Sequence, residues 1–196
     1  MPSNEASIVD CIDTNSYKKI KSLRPNKNSK DCGLLMNLKS IDLNYLMAGY
    51  ESGELALFDL RTNGQVSSID LFTGQPLMCF DYNGNSNFGM CGSSESALKH
   101  VALDGKENDS TIDLVSSSSI SLVNPGLNCI KIRKTDSKIF SCGSWDSRIR
   151  VYGVKKLKLL AVLDFHKEAI NTIDFSNSNL MAAGSNDGII SFWNLY

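Results

Sequence analysis

Four glycines set the frame of this chain. Gly49, Gly92, Gly143 and Gly184 follow one another at 43, 51 and 41 residues, and the residues around them repeat without a gap. Before each glycine stands a small residue: Ala48, Cys91, Cys142 or Ala183. Four before come Tyr45, Phe88, Ile139 and Leu180, and six after come Leu55, Leu98, Ile149 and Ile190. Eight after come Leu57, His100, Val151 and Phe192, with His100 the one clear break. Nine after come Phe58, Val101, Tyr152 and Trp193. The last copy, LMAAGSNDGIISFWNLY, shows the unit most plainly. An apolar run meets the turn Asn186-Asp187-Gly188, and an alternating strand follows, which reads as a β-hairpin. A lone hairpin is marginal in water, so a chain that repeats one must pack the copies on something.

Each hairpin follows another apolar alternation. Ile170, Ile173 and Phe175 have counterparts in Leu127, Ile130 and Ile132, and in Leu77, Phe80 and Tyr82. The first copy is looser, with Leu35 and Leu38 but Ser40 in third place. A further strand follows the hairpin at 65–72, roughly 111–123, and 157–165. Residues 7–12 and 17–23 read as two leading strands around a turn at 13–16, and the basic loop 24–30 follows them. The expected divisions are 1–31 for the leading strands and loop, 32–72, 73–123, 124–165 and 166–196. The last of these lacks an outer strand. Short strands, regular spacing and turn chemistry predict an all-β array, with no sustained 3.6-residue period anywhere. Between Leu103 and Leu122 the composition turns polar and serine-rich, which predicts a mobile rim loop over 104–122.

Composition narrows the chemistry. The net charge is −1, so no global field draws the chain to nucleic acid or to an anionic membrane. Six basic residues fall between Lys18 and Lys30, but no aromatic side chain interleaves the core of that run for base stacking. None of the six cysteines forms a Cys-x-x-Cys pair, which reads as reduced thiols in a cytoplasmic or nuclear protein. The two histidines, His100 and His166, lie in different repeats, so no catalytic cluster is evident. No zinc set, phosphate loop or cofactor motif is present. A surface remains. The turns inside the hairpins carry Tyr50, Glu51, Trp145, Arg148 and Asn186, residue types suited to holding a protein partner.

The Asp-Gly turn, the serine before it, Trp193 nine residues past the glycine, and His166 ahead of the first strand resemble the WD repeat. The resemblance implies a WD40-type β-propeller. It also implies a buried hydrogen-bonded tetrad, carried over onto His166, Ser185, Asp187 and Trp193 in the last repeat only. Repeat three keeps Asp146 and Ser144, with Tyr152 for tryptophan and Asn124-Pro125 where the histidine would be. Within the family, AGYESGELALFDL (48–60), Asn124-Pro125-Gly126, GSWDSRIRVY (143–152), LAVLDFH (160–166) and AAGSNDGIISFWNLY (182–196) are similar to the G-protein-β-subunit-like group. The fungal members of that group are ASTRA-associated WD proteins. This implies a non-catalytic scaffold whose partners are a cochaperone assembly that matures phosphatidylinositol-3-kinase-related kinases, with a tie to chromatin remodelling. A G-protein β-like signalling adaptor is the alternative, and after it a catalytic propeller. The resemblance further implies a seven-bladed ring, of which this chain would hold four repeats and two leading strands. The edge at 189–195 would then be unpaired, and self-association of the chain is expected.

Overall fold

The structure is a computed structural model, and it describes residues 6–26, 29–62, 64–105 and 112–195. It is all-β and of the WD40 β-propeller type, with the strands gathered in antiparallel blade sheets. Chain contacts divide into two compact units, residues 1–77 with 102–116, and residues 78–101 with 117–196.

The first unit opens with β1 (Val9–Ile12) and β2 (Lys19–Leu23), which pair with each other. A single turn of helix follows, α1 (Ser29–Cys32), where a basic loop is expected from the sequence. It exists because Cys32 is buried among Val9, Leu23, Ala48, Tyr50, Ala56 and Phe58. The chain then builds a four-stranded sheet from β3 (Leu35–Ser40), β4 (Tyr45–Tyr50), β5 (Glu54–Asp59) and β6 (Gly64–Asp70).

The next sheet orders β7 (Leu77–Asn83), β8 (Phe88–Ser93) and β9 (Ala97–Gly105). Its fourth place is divided. β10 (Ile112–Val115) pairs with the far half of β9, and β11 (Ser119–Ser121) pairs with its near half. Most of the described part of the segment expected to be a rim loop is therefore strand, and residues 106–111 lie outside the described residues. The reason is that β9 runs nine residues, long enough to template two returns. The serines between those returns have work of their own: His100 donates its backbone N–H to Ser118 O at 2.9 Å, and its ring nitrogen lies 3.0 Å from Ser117 Oγ.

The second unit continues with the sheet β12 (Leu127–Ile132), β13 (Ile139–Ser144), β14 (Ile149–Gly153) and β15 (Lys158–Leu163). It closes with β16 (Ile170–Phe175), β17 (Leu180–Ser185) and β18 (Ile190–Asn194).

The repeat glycines owe their place to the stacking. Each lies in the second strand of its sheet, and at Gly92 and Gly143 the first strand of the next sheet presses closest. A Cβ on Gly49 would stand 2.8 Å from Leu77, on Gly92 2.7 Å from Leu127, and on Gly143 2.5 Å from Ile170. Any larger residue would hold the two sheets apart. Gly184 meets only Thr172 of its own sheet, at 3.2 Å. The first strands share a second device, a β-bulge after their first residue, between Leu35 and Asn37, Leu127 and Cys129, and Ile170 and Thr172. The bulge leaves Asn128 and Asn171 out of the ladder, with their amides turned toward the hairpin turns.

Candidate functional site: polar corners and turn surface of the second unit

The corner of the last sheet is a chain of hydrogen bonds. His166 is buried, with Nδ1 3.0 Å from Asp187 Oδ2 and Nε2 2.8 Å from Ser191 Oγ. The Trp193 indole N–H donates to the same Ser191 oxygen at 2.8 Å. A carboxylate only accepts, so Nδ1 carries the ring proton, Nε2 accepts from the serine hydroxyl, and one neutral tautomer satisfies every member. Burial works to raise the Asp187 carboxyl. The backbone N–H groups of Lys167 and Ile189 and the His166 ring outweigh it and hold the group at about 2.

The hydroxyl of this chain is Ser191, which corrects the assignment of Ser185. Ser191 and Trp193 stand two apart on β18 and share a face, whereas Ser185 ends β17 and donates to Glu168 O at 2.9 Å. The alternation of the strand held that information, since Ser191 sits between the outward Ile190 and Phe192. Ser191 also lies directly across the ladder from Ala183, so its hydroxyl occupies the inner face of the sheet.

The preceding sheet fills the same corner with different chemistry. Arg150 stands seven residues past Gly143, as Ser191 does past Gly184. Its guanidinium donates to Asp146 Oδ2 at 2.5 Å, to Asp146 Oδ1 at 3.1 Å and to Ser144 Oγ at 2.9 Å. The Asn124 amide donates to Asp146 Oδ2 at 2.8 Å from the place His166 takes in the last sheet. Burial raises the Asp146 carboxyl, and Arg150 and Asn124 overcome it and hold it at about 2. With Arg150 and Ser144 buried and paired, the corner is a structural clip.

Of the turn residues singled out for binding, Tyr50 is fully buried in the core of the first unit, so its assignment to the surface is corrected. It ends β4 on the same face as Ala48, and alternation sends its ring inward; burial pushes its phenol well above the ordinary value. Glu51 is exposed, and its carboxylate accepts the Leu34 N–H at 3.0 Å.

In the second unit, Trp145 is held firmly while remaining 47% exposed. Its indole lies against Gly126, where a Cβ would come within 2.2 Å of the ring, and the positive φ of 87° there suits only glycine. Its N–H donates to Asn128 Oδ1 at 2.6 Å. The Asn128 amide in turn donates to Ile170 O at 3.0 Å and to Asn171 Oδ1 at 3.3 Å. Asn171 donates to Asn186, which stands in its turn where Trp145 stands in the preceding one. The structure thus joins Trp145 and Asn186 through a row of amides that the sequence reading missed. Arg148 is half-exposed and donates to Asp164 Oδ2 at 3.1 and 3.2 Å.

Both nitrogens of His166 are engaged, and burial pushes the Cys129 and Cys142 thiols up to about 12, which keeps them protonated. Among the described residues, no group of three or more His, Cys, Asp or Glu could hold a metal ion.

Comparison with known proteins bears on this surface. Residues 157–194 match the family described as WD domain, G-beta repeat. The chain is 31% identical over 200 residues to the mouse protein named guanine nucleotide-binding protein subunit beta-like protein 1, covering all of the chain and 59% of that protein. It is 29% identical over 212 residues to ASTRA-associated protein 1 of Schizosaccharomyces japonicus, covering 98% of the chain and 56% of the relative. With ASTRA-associated protein 1 of Schizosaccharomyces pombe it shares 30% identity over 168 residues, 77% of the chain and 44% of the relative. The chain therefore spans less than two thirds of the length of these relatives.

Proposed function

Because the chain is a WD-repeat protein related to ASTRA-associated proteins and to a guanine nucleotide-binding protein subunit beta-like protein, we propose that it is a non-catalytic scaffold that holds protein partners through its hairpin turns. Its partners on this reading are members of a cochaperone assembly that matures phosphatidylinositol-3-kinase-related kinases, together with the ASTRA assembly, in the cytoplasm and nucleus. The fungal relatives' name, ASTRA-associated, supports the second of these.

One observation carries the scaffold reading. Trp145 is exposed over nearly half its surface, yet its N–H is already satisfied and Gly126 backs its ring. A rigid aromatic plate of this kind loses little conformational entropy when a partner packs on it. Arg148 and Asn186 add polar contacts to the same set of turns.

Pull-down of ASTRA components by the wild type and by Trp145→Ala, with melting followed in parallel, tests the proposal. Capture should fall about tenfold or more, with a melting change of only a few degrees. Normal capture by a mutant of lowered stability would make Trp145 a packing residue and remove the support for this surface.

A further inference from the structure

Two turns at one end of the sheet β12 to β15 carry an unbalanced charge. The first, residues 133–138, joins β12 to β13 and reads RKTDSK. The second, residues 154–157, joins β14 to β15, and Lys158 follows it at once. The turns touch. Val154 donates its backbone N–H to Lys138 O at 2.8 Å, and Gly153 stands between Ile139 on one side of the ladder and Lys158 on the other. Lys134, Lys138, Lys155, Lys156 and Lys158 are all exposed. This surface is the end of the strands and not a face on which one sheet stacks on the next. The sheet already has a neighbour on either side, where Leu127 meets Gly92 and Ile170 meets Gly143.

The carboxylates close by are engaged elsewhere. Asp136 is the one acidic residue in the two turns, and the buried Arg133 guanidinium holds both its oxygens, at 3.0 and 2.7 Å. Asp174 lines the same small hollow as Lys134 and is paired with Lys131 at 3.0 Å. Ammonium groups gathered in this way repel one another, and a bound anion removes that cost. The backbone that presents them is held in place. The Asn83 amide donates to Ser137 Oγ at 2.8 Å, the Thr135 hydroxyl donates to Asn179, and Arg133 donates onward to Leu195 O at 2.9 Å. Leu157 takes a left-handed φ of 50° and packs against the core, which leaves Lys155, Lys156 and Lys158 turned outward. A preformed surface of this kind loses little freedom when a partner binds.

The residue types select among polyanions. Neither turn contains an aromatic side chain to stack on a base. The exposed cations are all lysine, while the fork suited to phosphate, Arg133, is buried and occupied. The two large apolar residues of the turns, Val154 and Leu157, pack inward and offer a bilayer no wedge.

We propose that these two turns dock an acidic segment of a protein partner, rich in aspartate and glutamate. β13 is six residues long, so this surface lies about 20 Å from the Trp145 turn at the other end of the same sheet. The chain offers two separate contacts, one aromatic and one basic, and each stands or falls without the other.

Fluorescence anisotropy of a labelled polyglutamate peptide with the 196-residue chain at low ionic strength is the test. The wild type should bind the peptide, and added salt should weaken the complex steadily. The double variant Lys155→Glu with Lys156→Glu should weaken it about tenfold or more, with an unchanged urea midpoint because both side chains are exposed. Lys167→Glu, a charge reversal at the opposite end of the second unit, should change binding little. Trp145→Ala should leave it unaltered, which separates this surface from the scaffold reading. A single-stranded oligonucleotide and phosphatidylserine vesicles, matched to the peptide in charge, should compete poorly. A wild type that does not bind the peptide would overturn the proposal. So would a loss as large with Lys167→Glu, which would reduce binding to net charge, or tighter binding of the oligonucleotide or the vesicles, which would assign the lysines to that polyanion instead.

Discussion

The repeat glycines offer a graded test of how the sheets are held. Adding one methyl at Gly143 places a Cβ 2.5 Å from Ile170 Cγ2, 2.6 Å from Cys129 Sγ and 2.8 Å from Ile170 Cβ. The Ile170 Cβ is fixed to the backbone of the next sheet, so no rotamer change relieves that contact and one sheet must move. Overpacking of this kind costs about 1–3 kcal/mol. Replacing glycine by alanine returns about 0.4–1 kcal/mol through the unfolded chain, because Gly143 is not among the positive-φ glycines. The net expectation for Gly143→Ala is a loss of about 1–2 kcal/mol, a fall in melting temperature of about 2–8 °C for a chain of this size. Gly92→Ala and Gly49→Ala should cost less, since their nearest neighbours are the terminal methyls of Leu127 and Leu77, which can rotate away. Gly184→Ala, with only a Thr172 methyl at 3.2 Å, should be neutral or slightly stabilising. Urea denaturation of the four variants, followed by circular dichroism and tryptophan fluorescence, gives the order. If Gly143→Ala and Gly184→Ala shifted the midpoint equally, the glycines would not be spacers between sheets, and the stacking argument would fail.

The corrected corner makes two further predictions. Ser191→Ala should destabilise the last sheet by about 1–3 kcal/mol, because His166 and Trp193 would both lose a buried partner, and Ser185→Ala should cost less. Equal urea midpoints for the two would restore Ser185 to the chain. His166→Ala should likewise cost more than His100→Ala, whose ring meets the Ser117 hydroxyl and a tilted Phe88 ring. Acid should weaken the second unit. Asp146 and Asp187 sit at about 2 when folded, below the ordinary carboxylate value, so the unfolded chain binds the extra protons. Their contribution is complete above about pH 4 and is lost as pH falls toward 2. Denaturation midpoints between pH 7 and 2 should show this drop, and Asp146→Asn should flatten part of it; an unchanged profile in the variant would mean that Arg150 does not hold the carboxylate.

What the sequence determined by itself was whatever depends on local pattern. The spacing of the four glycines, the period-two alternation and the Asn186-Asp187-Gly188 turn identified the hairpins, because strand faces and turn backbones are set by neighbours in the chain. The links among His166, Asp187 and Trp193 were legible through the resemblance, as three unusual side chains at fixed offsets. Tertiary structure decided which partner each side chain met. Ser185 and Ser191 are both serines close to the turn, and only strand pairing put Ser191 over His166. Tyr50 has the composition of a surface anchor, but the packing of α1 and β2 closes over it. The polar stretch reads as loop from composition, and its two ends became strand because β9 extends far enough to pair with two returns. Asn128 and Asn171 carry no local mark of their role. A β-bulge pushed them out of the ladder, and a neighbouring sheet supplied the carbonyl at Ile170 that made one of them a bridge. Local pattern specifies the strands, and contacts between residues far apart in the chain choose the hydrogen bonds and the surface.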